Sequence, residues 1–218
     1  MKAVILVPFK TDSGPRLRNW MHARSLWAEL DLDIEEATTD PFERAASRNL
    51  AAANAGDWDV ALFADADILL GSPDQADAAI MRCYRTGAYT VAYSHLRYLT
   101  EEGTESVVNG KAANFADTDE SVGLTWECCF AVRRDIWDET GGFDERFRGW
   151  GGQVSAFFYA AATFGGRERI HGSAYHMAHP LVDRALEPHF QANCELAERY
   201  KAAVDDPAAM REILKERA

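Results

Sequence analysis

Asp59-Val60-Ala61-Leu62-Phe63-Ala64-Asp65-Ala66-Asp67 is a run of five apolar residues that ends on two acids separated by one alanine. A short, continuous apolar run bounded by polar residues reads as a strand buried on both faces. Two carboxylates at the carboxyl end of such a strand can approach one divalent cation, directly or through water. Oxygen ligands suit Mg2+ or Mn2+. Asp-x-Asp is a weak motif by itself, because a solvated turn with two caps fits it equally well. The sequence around it decides between the two.

Upstream, Ala3 to Phe9 reads as another buried strand, closed by Pro8. Residues 14–30 carry apolar side chains at helical spacing, and Ile34 to Thr38 reads as a short strand. Asp40-Pro41 has the form of a cap followed by proline at the first helical position, with the helix running to Gly56. Downstream, residues 73–86 predict a helix and Thr90 to Tyr93 a strand. Strands alternating with helices predict an α/β fold, a mainly parallel central sheet flanked by helices, formed as a single domain over 1–218. In such sheets ligands bind beyond the carboxyl ends of the strands. Both Pro8-Phe9-Lys10 and Asp65-Ala66-Asp67 fall there. Residues 99–121 are polar with little periodicity and predict a long loop. Thr125 to Val132 and Ile170 to Tyr175 predict strands, 152–164 a helix, and 183–218 a charged helical tail.

With 47% hydrophobic residues in 218, the chain can bury a sizeable core. Its formal net charge of −12 argues against passive nucleic-acid binding, which needs a basic face. The apolar N-terminal run is too short to span a membrane and lacks the layout of a secretory signal, so the chain is expected to be cytoplasmic. Cys83, Cys128, Cys129 and Cys194 form no Cys-x-x-Cys pair and are expected as reduced thiols.

Several groups of residues can carry chemistry. His176 and His179 are spaced so that both rings can face one ion, and beside Asp65 and Asp67 they supply further ligands. Lys10, with Arg44 and Arg48 one turn apart on a helix, forms either a basic pocket for a nucleotide or a salt-bridged surface. Glu127 sits in an otherwise apolar strand, so it is either paired with an arginine or turned to a ligand. Gly141-Gly142-Phe143-Asp144-Glu145-Arg146-Phe147-Arg148-Gly149-Trp150-Gly151-Gly152 is a glycine-rich turn before an apolar helix. Its glycines allow close approach of a ligand, and Trp150 offers a flat platform for a sugar ring.

Taken together and in order, these segments resemble the metal-dependent GT-A glycosyltransferases, in particular the β-1,4-galactosyltransferases and the catalytic domain of polypeptide N-acetylgalactosaminyltransferases. Val7-Pro8-Phe9-Lys10 resembles the first nucleotide-contacting segment, with lysine where arginine is usual. Phe42-Glu43-Arg44-Ala45, followed by Asn49, resembles the helix that contacts uridine. Phe63-Ala64-Asp65-Ala66-Asp67 resembles the metal motif, with Asp65 also facing the donor. Gly149-Trp150-Gly151-Gly152 resembles the segment at the donor and acceptor sugars, and His176 and His179 the later metal-ligand pair. The resemblance covers residues 1 to about 180. It implies a UDP-sugar donor carrying a hexose or N-acetylhexosamine, a Mn2+ ion with Mg2+ as the alternative, and a glycan or protein acceptor. A nucleic-acid acceptor is disfavoured by charge. It implies 1–98 as the nucleotide-binding half and 120–182 as the acceptor and metal half. The Golgi members' lectin domain, stem and anchor have no counterpart here, which points to a bacterial or phage enzyme.

One departure bears on mechanism. The family follows its Gly-Trp-Gly-Gly with acids, the second of which is the base in inverting members. Here Gln153-Val154 follow. Catalytic candidates are therefore Glu127, Asp144, Glu145 and Gln153, and a retaining reaction without an enzyme base is expected. A sugar-nucleotide-binding module without catalysis is the first alternative. A nucleotidyltransferase is the second, weakened by the absence of a glycine-rich basic loop after the first strand.

Overall fold

The computed structural model describes residues 1–122, 125–180 and 187–217. Expectations that fall on 123–124, 181–186 and 218 lie outside the described residues. The six residues of β1 (Ala3–Pro8) and the five of β3 (Val60–Ala64) are buried throughout, as continuous apolar runs require. β2 (Asp33–Ala37) pairs with β1, and β1 with β3, all parallel. β8 (Cys129–Arg133) is antiparallel to both β3 and β5 (Tyr89–Val91), and β9 (Arg167–Arg169) adds in parallel to β5. The sheet order is β2-β1-β3-β8-β5-β9. It is mainly parallel, as expected, but not purely so, because β8 enters between β3 and β5 in the opposite direction.

Helices α1 (Pro15–Trp27), α2 (Arg44–Asn54), α3 (Asp74–Thr86), α5 (Arg134–Thr140) and α6 (Gln153–Gly165) accompany this sheet. Its aromatic core stacks Phe143 on Phe157 with ring centres 4.2 Å apart and Tyr89 on Phe130 at 4.7 Å. Phe143 of the glycine-rich segment is thus a core residue. A second, smaller cluster joins α6 to α7 (Phe190–Ala202) and α8 (Pro207–Lys215) through Phe147, Tyr200, Met210 and Ile213. No helix among the described residues is long and apolar enough to cross a membrane.

A second sheet, ordered β4-β10-β6-β7, lies beyond the carboxyl end of β3. It begins with β4 (Ile68–Leu70), directly after Asp67, and contains β10 (Ser173–His176), β6 (His95–Leu99) and β7 (Thr118–Val122). The loop expected over 99–121 is instead α4 (Glu101–Val108), a short 3-10 turn and β7. Thr100 caps α4 by accepting the N–H of Gly103 at 2.8 Å. Gly103 lies so close to Asp117 that a Cβ there would sit 2.5 Å from its carbonyl oxygen.

Three further boundaries differ from expectation. Helix α2 starts at Arg44 rather than Pro41, because Thr39 Oγ1 already accepts the N–H of Glu43 at 2.9 Å and holds 39–43 as a turn. Residues 125–128 precede β8 without joining its ladder, and Cys128 takes a positive φ of 67°. The strand expected at 170–175 begins only at Ser173, as β10, because the chain turns at Gly172, against which Gln75 packs; β9 ends before it, at Arg169. The tail is two helices joined by a turn. All four cysteines are free, and burial pushes the Cys83 thiol up to about 12.

Candidate active site

The sheet places Asp65-Ala66-Asp67 at the carboxyl end of β3, and the second sheet brings the histidines to it. In the antiparallel β4–β10 ladder His176 pairs with Ile68, and the N–H of Met177 donates to the Asp67 carbonyl at 2.9 Å. The chain then turns so that His179 also faces Asp67. Asn19 holds this turn by donating to the Ala178 carbonyl at 3.0 Å, and Thr104 accepts the Ala178 N–H at 2.8 Å. α4, unforeseen in the sequence, therefore supports the histidine turn.

Asp67, His176 and His179 are the group whose ligand atoms all lie within 4.8 Å of one another among the described residues. His179 Nε2 is 2.9 Å from Asp67 Oδ2, and His176 Nε2 is 3.6 Å from Oδ1. The side chains are only 6–14% exposed, so the polar atoms need partners. Yet Asp67 Oδ1 is buried without a hydrogen-bond partner among the described residues. Each imidazole directs Nδ1 at a backbone carbonyl, His176 at Met177 (3.1 Å) and His179 at Pro180 (2.9 Å). A ring donating through Nδ1 carries its lone pair on Nε2, the arrangement of a metal-ligating histidine. Two such lone pairs aimed at a carboxylate repel it unless a cation stands between them or the rings are protonated. Burial alone would raise the Asp67 carboxyl, but His176, His179 and Arg16 outweigh it and hold it well below the usual carboxylate range. The orphaned oxygen and the donor set fit a divalent transition-metal ion such as Mn2+.

Asp65 stands outside this group. Its Oδ1 accepts Arg48 Nη2 at 2.6 Å, so Asp65, expected near the ion directly or through water, is held in an ion pair beside the cluster. Arg48 does not share an exposed face with Arg44: it is 2% exposed, with its guanidinium over the Phe143 ring. Its Nη1 has no partner among the described residues. Arg44 is held below the ordinary arginine range by burial, with Asp65 and Asp67 drawing it back up, and remains a cation. Arg16, which the sequence did not mark, donates to the Pro180 carbonyl at 3.1 Å and contributes to the field at Asp67. Its only sequence signal was a cation at the start of the helix after β1. Lys10 is exposed past β1, Pro8 is buried within it, Phe9 packs on Trp20, and Phe42 is half-buried before α2.

The glycine-rich segment divides into two parts. In the first, Asn49 Nδ2 donates to the Phe143 carbonyl at 3.0 Å and its Oδ1 accepts the Phe143 N–H at 2.8 Å. Asn49 thus clamps this loop, a structural use for a residue expected at the nucleotide. Asp144 is 3% exposed and fully engaged: Arg146 Nη2 donates to Oδ2 at 2.8 Å, the Tyr200 hydroxyl donates at 2.9 Å, and Arg217 lies 3.6 Å away. Burial would raise its carboxyl, but these hydrogen bonds and charges hold it low. Glu145 is exposed and accepts Asn49 Nδ2 at 2.8 Å. In the second part, Glu43 accepts the Gly149 N–H at 2.7 Å and Glu187 the Trp150 N–H at 3.1 Å. Gly151 has φ 109°, and a Cβ there would lie 3.2 Å from Phe190. Trp150 is half-buried and stacks on Phe190 at 5.8 Å. Gln153 and Val154 open α6 and are both buried. Among the described residues Glu127 pairs with no arginine; Ser155 donates to its Oε1 at 2.7 Å.

No protein-family model matches the sequence, and no curated protein matches it. Solved structures do. A mannosyltransferase from Pyrobaculum calidifontis, in complex with GDP-Man and Mn2+, superposes with a TM-score of 0.53 at 16% identity, over 98% of this chain and 68% of that one. GalNAc-T7 with UDP, GalNAc and Mn2+ gives 0.51 at 12% identity, over 99% and 54%. The chain has the GT-A glycosyltransferase fold. The catalytic domain of Drosophila beta1,4-galactosyltransferase 7, in complex with xylobiose, gives 0.45 at 17% identity. That match covers 78% of this chain and 64% of the fly one, so the chain spans less than two thirds of that relative's length.

Proposed function

We propose that this GT-A chain is a metal-dependent glycosyltransferase that moves a hexose or N-acetylhexosamine from a UDP-sugar to a glycan or protein acceptor. One observation carries the proposal: at the carboxyl edge of the sheet two histidine Nε2 atoms face the Asp67 carboxylate, His179 at Oδ2 and His176 at Oδ1, and Oδ1 is buried with no hydrogen-bond partner among the described residues. Asp67, His176 and His179 would hold the divalent ion, Mn2+ or Mg2+, which supplies positive charge to a diphosphate leaving group. Arg16 and Arg44 add cationic charge beside it, where a diphosphate benefits from neutralisation. Arg48 holds Asp65 in one orientation, leaving that carboxylate's second oxygen for a ribose or sugar hydroxyl. Trp150 and the N–H groups of its turn form the wall on the sugar side, fixed by Glu43, Glu187 and Asn193. The reading is supported by two proteins with the same fold, both in complex with Mn2+, one with GDP-Man and the other with UDP and GalNAc.

By the sequence resemblance, Gln153 and Val154, both buried, replace the acids of which the second serves as base in inverting members. This was the ground for expecting retention, and it also motivates the non-catalytic alternative. The test is a panel of sugar nucleotides assayed for release of the nucleoside diphosphate with and without Mn2+. The expected result is release from at least one UDP-hexose that stops on chelation. Binding of UDP with no release from any donor would favour the sugar-nucleotide-binding module, and no UDP binding with Mn2+ present would sink both.

A further inference from the structure

An acid from outside α6 reaches its first turn. Ser155, the third residue of α6, donates its hydroxyl to Glu127 Oε1 at 2.7 Å. Glu127 is not on that helix. It lies two residues before β8, next to Cys128, whose carbonyl accepts the Asp65 N–H at 2.8 Å. In the β3–β8 ladder Ala64 pairs with Cys129, so Glu127 lies on the Asp65 side of the last pair. Its carboxylate therefore bridges the space between the Asp65-Ala66-Asp67 turn and the helix that follows Trp150-Gly151-Gly152.

The backbone that carries Glu127 is irregular, yet side chains fix each carbonyl along it. Arg169 Nη2 donates to Thr125 at 2.6 Å, the Tyr89 hydroxyl to Trp126 at 2.5 Å, and the Tyr93 hydroxyl to Glu127 at 2.5 Å. Arg169 also lies 4.2 Å over the Trp126 ring, whose other face stacks on Phe158 of α6 at 4.4 Å. Burial pushes both phenols above their usual range, so they remain O–H donors. Such a shell is what holds a reacting group in place. Among the described residues nothing donates to the second Glu127 oxygen, Oε2. The other acids here are engaged: Asp144 in its ion pairs, Glu145 with Asn49, and Glu43 and Glu187 with the N–H groups of the turn.

We propose, resting on the transferase reading above, that Glu127 is the general base and Ser155 its positioning residue, and that transfer inverts the anomeric carbon. Glu127 Oε2 takes the proton of the acceptor hydroxyl. The electron pair freed on that oxygen forms the bond to the anomeric carbon. The bond from that carbon to the diphosphate oxygen breaks on the opposite face, and its pair leaves with the nucleoside diphosphate. Water in place of the sugar hydroxyl gives the same balance and yields free sugar.

The experiment uses Mn2+, the UDP-hexose that wild-type protein cleaves, and water or azide as acceptor. Glu127→Gln should lower nucleotide release into water about 10²–10⁴-fold with KM for the donor unchanged. Azide has no proton to give up, so it should restore release in Glu127→Gln and yield the inverted glycosyl azide by NMR. Ser155→Ala should lower kcat with little change in KM, and Ser155→Thr should recover it. A retained anomer, or Glu127→Gln within threefold of wild type, overturns the assignment. So does a loss in Glu127→Gln that azide does not rescue while its thermal unfolding matches wild type. Should Glu127→Gln not fold, Glu127→Ala serves: it removes the base, so water turnover within threefold of wild type overturns the proposal, and a drop in water that azide rescues supports it. Wild-type protein that binds UDP but cleaves no donor overturns the base assignment, whereas wild type that does not bind UDP at all defeats the transferase reading itself.

Discussion

Asp67 and Asp144 are both buried acids in an acidic chain, and their surroundings are opposite. Asp144 is closed: Arg146, Arg217 and Tyr200 converge on it, and Arg146 continues to Glu216. Asp67 is open: its two neighbours are imidazoles that already direct one nitrogen each at the backbone, and one of its oxygens has no hydrogen bond. A buried carboxylate with complete partners stabilises a fold, and one left incomplete costs stability and is kept for a ligand. Partner geometry, rather than burial or charge, separates Asp144, closed within the fold, from Asp67, which the proposed function assigns to the metal.

That contrast can be broken most directly at Asp67. Asp67→Ala should bring metal-dependent nucleotide release to background and remove Mn2+ binding by titration calorimetry. Its thermal midpoint should stay level or rise, because an unsatisfied buried oxygen is removed; a large loss of stability would close the distinction. Next in size is Asp144→Ala. It removes the shared acceptor of Arg146, Arg217 and Tyr200, but Arg146 keeps Glu216 and Arg217 the Thr140 and Gly142 carbonyls, so the loss falls at the low end of the about 3–5 kcal/mol of a broken buried pair. Urea unfolding should show that loss, with Mn2+ affinity in the folded protein unchanged.

Arg48→Met is smaller and tests a mixed case. Arg48 is buried like Asp144 but half-partnered like Asp67. Nucleotide affinity should fall about tenfold as Asp65 loses its orientation, while stability moves by about 1 kcal/mol, the scale of a single net hydrogen bond. An unchanged nucleotide Kd would assign Arg48 to the core alone. The smallest effect is in pH. The Asp144 carboxyl is held below its unfolded value, so its contribution is complete above the ordinary aspartate range and is lost as pH falls through the folded value. Wild type should therefore lose stability on acidification below about pH 4 more steeply than Asp144→Asn. Parallel curves would show that the pair does not couple to folding.

Residues differ in how far their sequence context reveals them. β1 and β3 were legible because strands buried on both faces are apolar without interruption. Asp67, His176 and His179 were legible because ligand types at short spacing survive any fold that joins them. α4 was not, since its buried positions include Gly103 and Thr104, whose value depends on Asp117 and Ala178 elsewhere in the chain. Arg44 and Arg48 were correctly placed on one helix, but the spacing does not say whether a face meets water or the Phe143 ring. Asp144 looked catalytic for want of knowing that Tyr200, 56 residues on, would reach it.

The link from Glu43 to Gly149 joins residues 106 apart, and that from Asn49 to Phe143 joins residues 94 apart. Contacts of this span are slow to form, because loop closure precedes any gain from them. During synthesis the strands of the first half emerge long before the turn that carries His179. On the reading proposed above, a chain stalled before the histidine turn would hold Asp67 and Arg44 yet lack both imidazoles, and would bind no Mn2+.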